Sequence, residues 1–147
     1  MRRVRKLAIV GIGAAAAAAL ASGPVSANSN PNCSTISAAT VQAGIGGNAT
    51  APKIYTYSGG VHCQYGSSLS SDSIEYDFNI TTAKFNQFEA TDKGTSVSSL
   101  GYPAFTNSDA AGNFVQVLKG STQIIIGGQK ATNAALIAFA KKILPAV

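Results

Sequence analysis

The segment FVQVLKGSTQIII, residues 114–126, contains the clearest fold signal in this sequence. Two runs of apolar and β-branched residues flank Gly120 and Ser121. Glycine at the first position of a two-residue loop suits a type II′ turn, which joins antiparallel strands. We therefore predict a β-hairpin in which residues 114–119 pair with residues 122–126.

A second strand signal lies upstream in the segment SIEYDFN. Ile74, Tyr76 and Phe78 alternate with polar or acidic residues. This period of two places the apolar side chains on the core side of a half-buried strand, and it places Glu75 and Asp77 on the solvent side.

Other strands are short. We expect one at residues 61–65 and further ones within residues 95–105, followed by a polar turn at 107–113. Residues 53–57, KIYTY, lie among turn-forming residues and fit either a short edge strand or a long loop.

Three segments have helical patterns, at residues 38–43, 81–92 and 130–144. Ser37 is the expected N-cap of the first helix, and Gly44 is the expected left-handed residue that ends it. The third helix repeats apolar residues with i, i+3, i+4, i+7 spacing. Strands joined by hairpins, without a βαβ rhythm, predict an α+β domain over residues 33–147. Its expected architecture is an antiparallel sheet with helices packed on one face.

The N-terminal segment, residues 1–27, has the three parts of an export signal. A basic head of arginines and a lysine precedes fifteen apolar or glycine residues at 7–21, and small residues lead to Ala27. The alternative is a retained membrane anchor, but a span needs about 20 apolar residues. We expect cleavage after Ala27, by either the general or the twin-arginine route, and a flexible mature N-terminus at residues 28–32.

Net charge changes greatly when this signal is set aside. The whole chain carries +5, but four of its eleven basic residues lie in the signal, which leaves seven lysines against six acidic residues. The predicted mature chain has no arginine, the preferred side chain for bidentate contacts with phosphate and guanine. These features argue against nucleic-acid binding, and we expect no membrane span in the mature chain.

Cysteine usage indicates an oxidising compartment. Cys33 and Cys63 are the only cysteines, and a pair in an exported chain is most simply one disulfide. Metal ligation is disfavoured because there is no CxxC spacing and His62 is the only histidine. We expect no metal and no cofactor.

Catalytic candidates are few. His62 would have to serve any Ser-His-Asp arrangement, with serines of residues 67–71 as nucleophiles, and Glu75 with Asp77 would be the carboxylate pair of a glycosidase. Ordinary partly exposed side chains on strands explain these residues better than catalysis does, so we assign no catalytic residue. Tyr55 and Tyr57 are candidate binding residues, because they are aromatic side chains with polar tips in an irregular segment. The alternative is that both rings simply pack over the sheet.

Several short motifs resemble those of the small exported actinobacterial domains grouped as DUF3558. They are Cys33 ahead of a short helix ending in glycine, the aromatic Tyr65 two residues after Cys63, and the segment SLGYPAF at 99–105. The resemblance implies an envelope module of sheet and helices, often a lipoprotein, without established catalytic residues. Here Asn28 stands where a lipoprotein requires cysteine, so we expect release or loose wall association.

The sequence therefore predicts a secreted, non-catalytic domain that binds a small ligand or an exported protein at or outside the cell envelope. The alternatives are a small secreted hydrolase that uses His62, and an inhibitor or structural partner of another exported protein.

Overall fold

A computed structural model describes residues 33–66 and 72–147 of the chain. The predicted signal with its cleavage site after Ala27, the expected flexible segment at 28–32 and the serine-rich residues 67–71 lie outside the described residues.

The described residues form one antiparallel sheet and three α-helices. The strands are β1 (Lys53–Tyr57), β2 (Gly60–Gln64), β3 (Ser73–Phe78), β4 (Thr95–Ser96), β5 (Ala104–Asp109), β6 (Gly112–Lys119) and β7 (Thr122–Gly128). The helices are α1 (Ala38–Ile45), α2 (Thr82–Thr91) and α3 (Asn133–Ile143), and a 3₁₀ turn covers Leu144–Ala146. The strand order is β1-β2-β3-β7-β6-β5-β4.

The hairpin predicted from residues 114–126 forms the centre of this sheet. Lys119 pairs with Thr122 at its end. Gly120 has a φ of 63°, and Ser121 is outside the left-handed region, as a type II′ turn requires. β7 also pairs with β3, so the hairpin is joined directly to the strand that carries the alternating pattern.

Helices α1 and α3 cover one face of the sheet, where most of the core lies. The core on this face includes buried side chains from both helices and the central strands: Val41, Ile45, Ile74, Tyr76, Val115, Val117, Ile124, Ile126, Leu136, Phe139 and Ile143. The apolar set of the alternating strand faces this core, as predicted.

Helix α2 adds a small apolar layer on the opposite face. The ring of Phe85 lies 5.2 Å from the ring of Phe105, centroid to centroid, and Leu118 completes the cluster. The alternation of β6 places Leu118 away from the core residues Val115 and Val117. The predicted α+β class and antiparallel sheet are confirmed, and α2 is the helix that packs apart from the other two.

The predicted disulfide between Cys33 and Cys63 is present, with their Cα atoms 5.4 Å apart. It joins the segment before α1 to β2. A second link lies nearby, because the buried Tyr65 hydroxyl donates to the carbonyl oxygen of Ile36 over 2.8 Å. The N-terminal segment is thus fixed to the sheet by a covalent bond and by a buried hydrogen bond.

Two local predictions were wrong. Gly44 lies inside α1, and Gly46, with a φ of 83°, is the left-handed residue that ends the helix. A Cβ on Gly44 would lie 2.0 Å from Cδ2 of Phe139, so the glycine permits close packing of α1 on α3. The turn expected at residues 107–113 is also shorter, because β5 continues to Asp109 and β6 begins at Gly112.

Candidate functional site

The candidate site lies on the sheet face opposite α1 and α3, which we call the open face. Helix α2 covers only the part of this face near Phe105 and Leu118. The remainder carries polar and aromatic side chains from β1, β2, β3, β5, β6 and β7. Residues 53–57, which the sequence left undecided, form β1 at one edge, and all five are exposed.

Tyr57 reaches across β2 to the carboxylates of β3. Its hydroxyl donates to Oε1 of Glu75 over 2.5 Å and also contacts Oδ1 of Asp77. Gly60 stands between Tyr57 and Asp77 in the register, and a Cβ there would lie 2.5 Å from the tyrosine hydroxyl. The missing side chain of Gly60 therefore creates the space in which Tyr57 crosses the sheet.

His62 follows Gly60 by two residues on β2 and therefore lies on the same face of the sheet. It pairs with Tyr55 on β1 and with Glu75 on β3. Its Nδ1 lies 3.0 Å from Oε2 of Glu75. The ring of Tyr55 is tilted against the imidazole, with centroids 6.1 Å apart. Nε2 of His62 is buried and has no hydrogen-bond partner among the described residues.

The two carboxylates of β3 have opposite pKa shifts. The hydrogen bond with His62 lowers the pKa of Glu75, and the bond from Tyr57 adds to this effect against the opposing effect of burial. Burial raises the pKa of Asp77, and the neighbouring charge of Glu75 acts in the same direction. Burial and the hydrogen bonds to both carboxylates raise the pKa of Tyr57. Glu75 is thus held as a carboxylate, whereas Asp77 binds a proton more readily.

Two adjoining cavities form a groove on the open face. The inner cavity, of about 170 Å³, is lined by Asp77, Phe88, Asp92, Gln116, Gln123 and Ile125. The outer cavity, of about 330 Å³, is lined by Glu75, Asp92, Asn107, Ser108, Asp109, Phe114, Gln116 and Ile125. The two cavities share Asp92, Gln116 and Ile125, and carboxylates line both.

A chain of amide side chains crosses the floor of this groove. Nε2 of Gln123 donates to Oε1 of Gln116 over 2.5 Å. Nε2 of Gln116 in turn donates to Oδ2 of Asp92 over 3.1 Å and to Oδ1 of Asn107 over 3.0 Å. Oε1 of Gln123 is buried and has no hydrogen-bond partner among the described residues.

The structure brings five of the candidate side chains together on β1, β2 and β3, namely Tyr55, Tyr57, His62, Glu75 and Asp77. The candidate serines of residues 67–71 lie outside the described part of the chain. Sequence reasoning missed Gln116 and Gln123. The available signal was their polarity within apolar hairpin strands, since polar residues at such positions are either exposed or hydrogen-bonded.

The described segments lack two features that would suggest other kinds of site. They contain no cluster of three or more His, Cys, Asp and Glu side chains suited to a metal ion. No helix within residues 33–66 and 72–147 is long and apolar enough to cross a membrane.

Comparisons with known proteins give no further assignment. No protein-family model, curated protein or solved structure matches this chain. The resemblance to DUF3558 domains therefore stays a prediction.

Proposed function

We propose that this chain is an exported, non-catalytic domain that binds a protein partner at or outside the cell envelope through β1. The signal-like N-terminus supports export. The disulfide between Cys33 and Cys63 agrees with an oxidising compartment.

The observation that carries the proposal is the exposure of β1. Ile54, Tyr55 and Tyr57 are 59%, 44% and 41% exposed. Among the described strands, β1 pairs only with β2, so its outer edge has no strand beside it. The opposite edge strand, β4, is only two residues long. An open edge with large side chains is suited to a partner that adds a strand to the sheet.

The tyrosines add rigidity to this surface. Tyr57 is held by Glu75 and Asp77, and Tyr55 lies against the ring of His62. Side chains that are already ordered lose less conformational entropy when a partner binds. Tyrosine is also enriched among the residues that contribute most to binding free energy at protein interfaces.

A hydrolase that uses His62 is the second candidate. The contact between His62 Nδ1 and Glu75 resembles the part of a catalytic triad that orients the imidazole. In a triad, however, the other ring nitrogen takes the proton of the nucleophile, and here Nε2 is buried without a partner among the described residues. The geometry therefore favours binding.

Affinity capture from conditioned culture medium tests the proposal. The immobilised protein is compared with an Ile54→Ser/Tyr55→Ala variant and with Tyr102→Ala, which removes an exposed tyrosine outside β1. We expect a captured protein whose yield falls about tenfold or more in the β1 variant, because hot-spot side chains contribute about 2 kcal/mol or more. Tyr102→Ala should leave the yield unchanged.

Two results would contradict the proposal. One is capture that is equal for all three proteins, or absent. The other is hydrolysis of ester or peptide substrates that His62→Ala abolishes, which would establish a catalytic role.

A further inference from the structure

The hydrogen bonds between β2 and β3 determine which backbone groups of β1 face its outer edge. The amide of Phe78 donates to the carbonyl oxygen of Gly59 over 2.7 Å. This bond makes Gly60 and Asp77 a non-hydrogen-bonded pair of the antiparallel ladder. The backbone groups of Gly60 therefore point the other way, to its partner Tyr57 on β1.

Alternation along β1 then identifies the outward groups. Tyr57 and Tyr55 direct their backbone groups to β2, so Ile54 and Thr56 direct their N–H and C=O groups to the outer edge. Among the described strands, none pairs with this edge. An edge of this kind is a template for a further strand.

The outward groups are arranged symmetrically about Tyr55. An antiparallel second copy of β1, with Tyr55 opposite Tyr55, places Ile54 of each copy opposite Thr56 of the other. Each of these two pairs exchanges two backbone hydrogen bonds, so every outward donor finds an acceptor. A shift by one residue would lose these bonds and would turn the side chains to the wrong faces.

The charges on the sheet are also complementary to an antiparallel copy. Lys53 is the only charged residue of β1 and is exposed, whereas Tyr57, at the other end, binds the carboxylates of Glu75 and Asp77. The ion pair of His62 with Glu75 is the only one in the described segments, so no lysine there pairs with these carboxylates. Lys53 and Tyr57 lie on the same face, because alternate residues of a strand share a face.

Antiparallel pairing brings Lys53 of one copy beside Tyr57 of the other. Directly opposed residues have Cβ atoms about 4.5–5.5 Å apart, so the ammonium group can pack on the tyrosine ring. The carboxylates that this ring contacts attract the ammonium group at physiological salt, where the screening length is about 8 Å. Two-fold symmetry repeats the contact, whereas a parallel copy in register would bring the two lysines together.

The exposed apolar side chains gain contacts in the same arrangement. The Tyr55 residues of the two copies face each other at a non-hydrogen-bonded position, where aromatic pairs are favourable. Ile54, which is 59% exposed, lies diagonally opposite Ile54 of the other copy on the other face of the sheet, within side-chain reach. Pairing therefore covers the side chains whose exposure supports the proposed function.

We propose that the partner that adds a strand to β1 is a second copy of this chain, paired antiparallel about a two-fold axis at Tyr55. This inference rests on the proposed function, because it identifies the partner of the same edge. The edge is only five residues long, and small interfaces are typically transient. We expect a dissociation constant of about 1–100 µM.

Analytical ultracentrifugation of the purified oxidised protein tests this proposal across that range of concentrations. The protein should show a reversible equilibrium between monomer and dimer. Lys53→Glu places like charges together and should weaken the dimer about tenfold or more. Lys141→Glu makes the same change of net charge at an exposed position on α3, and it should leave the dissociation constant unchanged.

A mixture of isotope-labelled and unlabelled protein tests the register by NMR. We expect an intermolecular NOE between the Hα protons of the two Tyr55 residues, because their Cα atoms are about 4.5 Å apart in this pairing. Thr56→Pro removes an outward donor and should abolish the dimer, since proline is tolerated where an edge N–H faces solvent. Thermal melts identify any loss of fold, and Lys53→Glu decides the matter if Thr56→Pro is unfolded.

Several results would overturn the proposal. They are a monomer at every concentration in this range, equal weakening by Lys141→Glu, or intermolecular NOEs that join other surfaces. Slow exchange of the Ile54 and Thr56 amides in dilute, monomeric protein would also overturn it, because another segment of the same chain would then cover the edge.

Affinity capture separates this inference from the proposed function. With bait above the dissociation constant, the protein captured from culture medium should be this chain, and Ile54→Ser/Tyr55→Ala should reduce its yield. A monomeric protein that captures a different protein through β1 would contradict the inference only. A dimer paired through β1 that also hydrolyses ester or peptide substrates, with activity that His62→Ala abolishes, would contradict the proposed function only.

Discussion

Gly60 determines how Tyr57 crosses the open face. A Cβ at this position would lie 2.5 Å from the tyrosine hydroxyl and 2.6 Å from the backbone oxygen of Tyr76. The first contact can be relieved if Tyr57 turns away, but the second involves the backbone of a neighbouring strand. A single position without a side chain thus permits the contacts of Tyr57 with two carboxylates.

A double-mutant cycle tests this dependence. We expect Gly60→Ala to lower the free energy of unfolding by about 1–3 kcal/mol through steric crowding. Tyr57→Phe alone should cost about 1 kcal/mol through lost hydrogen bonds. Once Gly60→Ala has displaced the tyrosine, Tyr57→Phe should add little. Urea denaturation measures all three variants, and fully additive effects would show that Gly60 does not control Tyr57.

The pH dependence of stability should reveal the contact between Glu75 and His62. Because the pKa of Glu75 is lowered on folding, its ionised form adds stability above the ordinary carboxyl pKa of about 4.3, and this stability is lost as the pH falls through the lowered value. Glu75→Gln should therefore cost roughly 1 kcal/mol at pH 7, and this cost should decrease only as the pH falls further below about 4 and Glu75 becomes protonated in the folded protein.

Denaturant unfolding at a series of pH values measures this difference. Glu89→Gln is the matched control, since Glu89 lies on α2 away from the pair. A constant cost of Glu75→Gln across the whole pH range would contradict the assigned role of the carboxylate.

At the scale of secondary-structure elements, close packing of α1 on α3 depends on Gly44. Replacing glycine by alanine inside a helix ordinarily adds up to about 1 kcal/mol of stability. Here the new methyl group would overlap the buried ring of Phe139, and overpacking costs about 1–3 kcal/mol. We therefore expect Gly44→Ala to lower the melting temperature.

The neighbouring residue provides the control for this prediction. Ala43 lies in the same helix and is exposed, so Ala43→Gly should also lower the melting temperature, by helix propensity alone. Both substitutions should then destabilise the protein, although Gly44→Ala adds a methyl group to the helix and Ala43→Gly removes one. A higher melting temperature for Gly44→Ala would show that the two helices separate easily.

Most helices and strands were predictable because the sequence patterns that specify them, the turn residues and the apolar spacing, lie within a few residues of one another. The hairpin around Gly120, the alternation at Ile74 and the spacing of α3 each arise within a few residues of sequence. The assignment of Gly44 failed because it depended on contact with Phe139, a residue far along the chain. Local patterns predict the element, and distant contacts decide which glycine ends it.

The candidate site was less predictable because its residues come from segments that are far apart in the sequence and meet only through strand pairing. Tyr57 meets Asp77 only through the alignment of three strands around Gly60. Gln116 and Gln123 are diagonal neighbours in the predicted hairpin, so their proximity follows from its register. The hydrogen bond from Gln116 to Asp92 at the end of α2, however, joins two elements that no local sequence pattern connects.

At the scale of the whole molecule, the disulfide stabilises the fold by closing a loop of 30 residues. The chain-entropy relation gives about 3–4 kcal/mol for a loop of this size. Replacing both cysteines by alanine should therefore lower the free energy of unfolding by about that amount. Adding reductant to the native protein should have the same effect, and unchanged stability in either experiment would contradict this role.

The two faces of the sheet expose different kinds of surface. One face of the sheet is covered by α1 and α3, while the open face and β1 carry exposed aromatic residues and the acidic groove. A partner should therefore approach from β1 and the open face. In the proposed function, helices α1 and α3 serve as the scaffold that supports the other face of the sheet.

Hydrogen–deuterium exchange of the protein with its captured partner tests whether β1 is the binding surface. We expect slower exchange of backbone amides in residues 53–57 on binding, with α1 and α3 unchanged. Protection confined to α1 and α3, with residues 53–57 exchanging as fast as in the free protein, would contradict binding through β1.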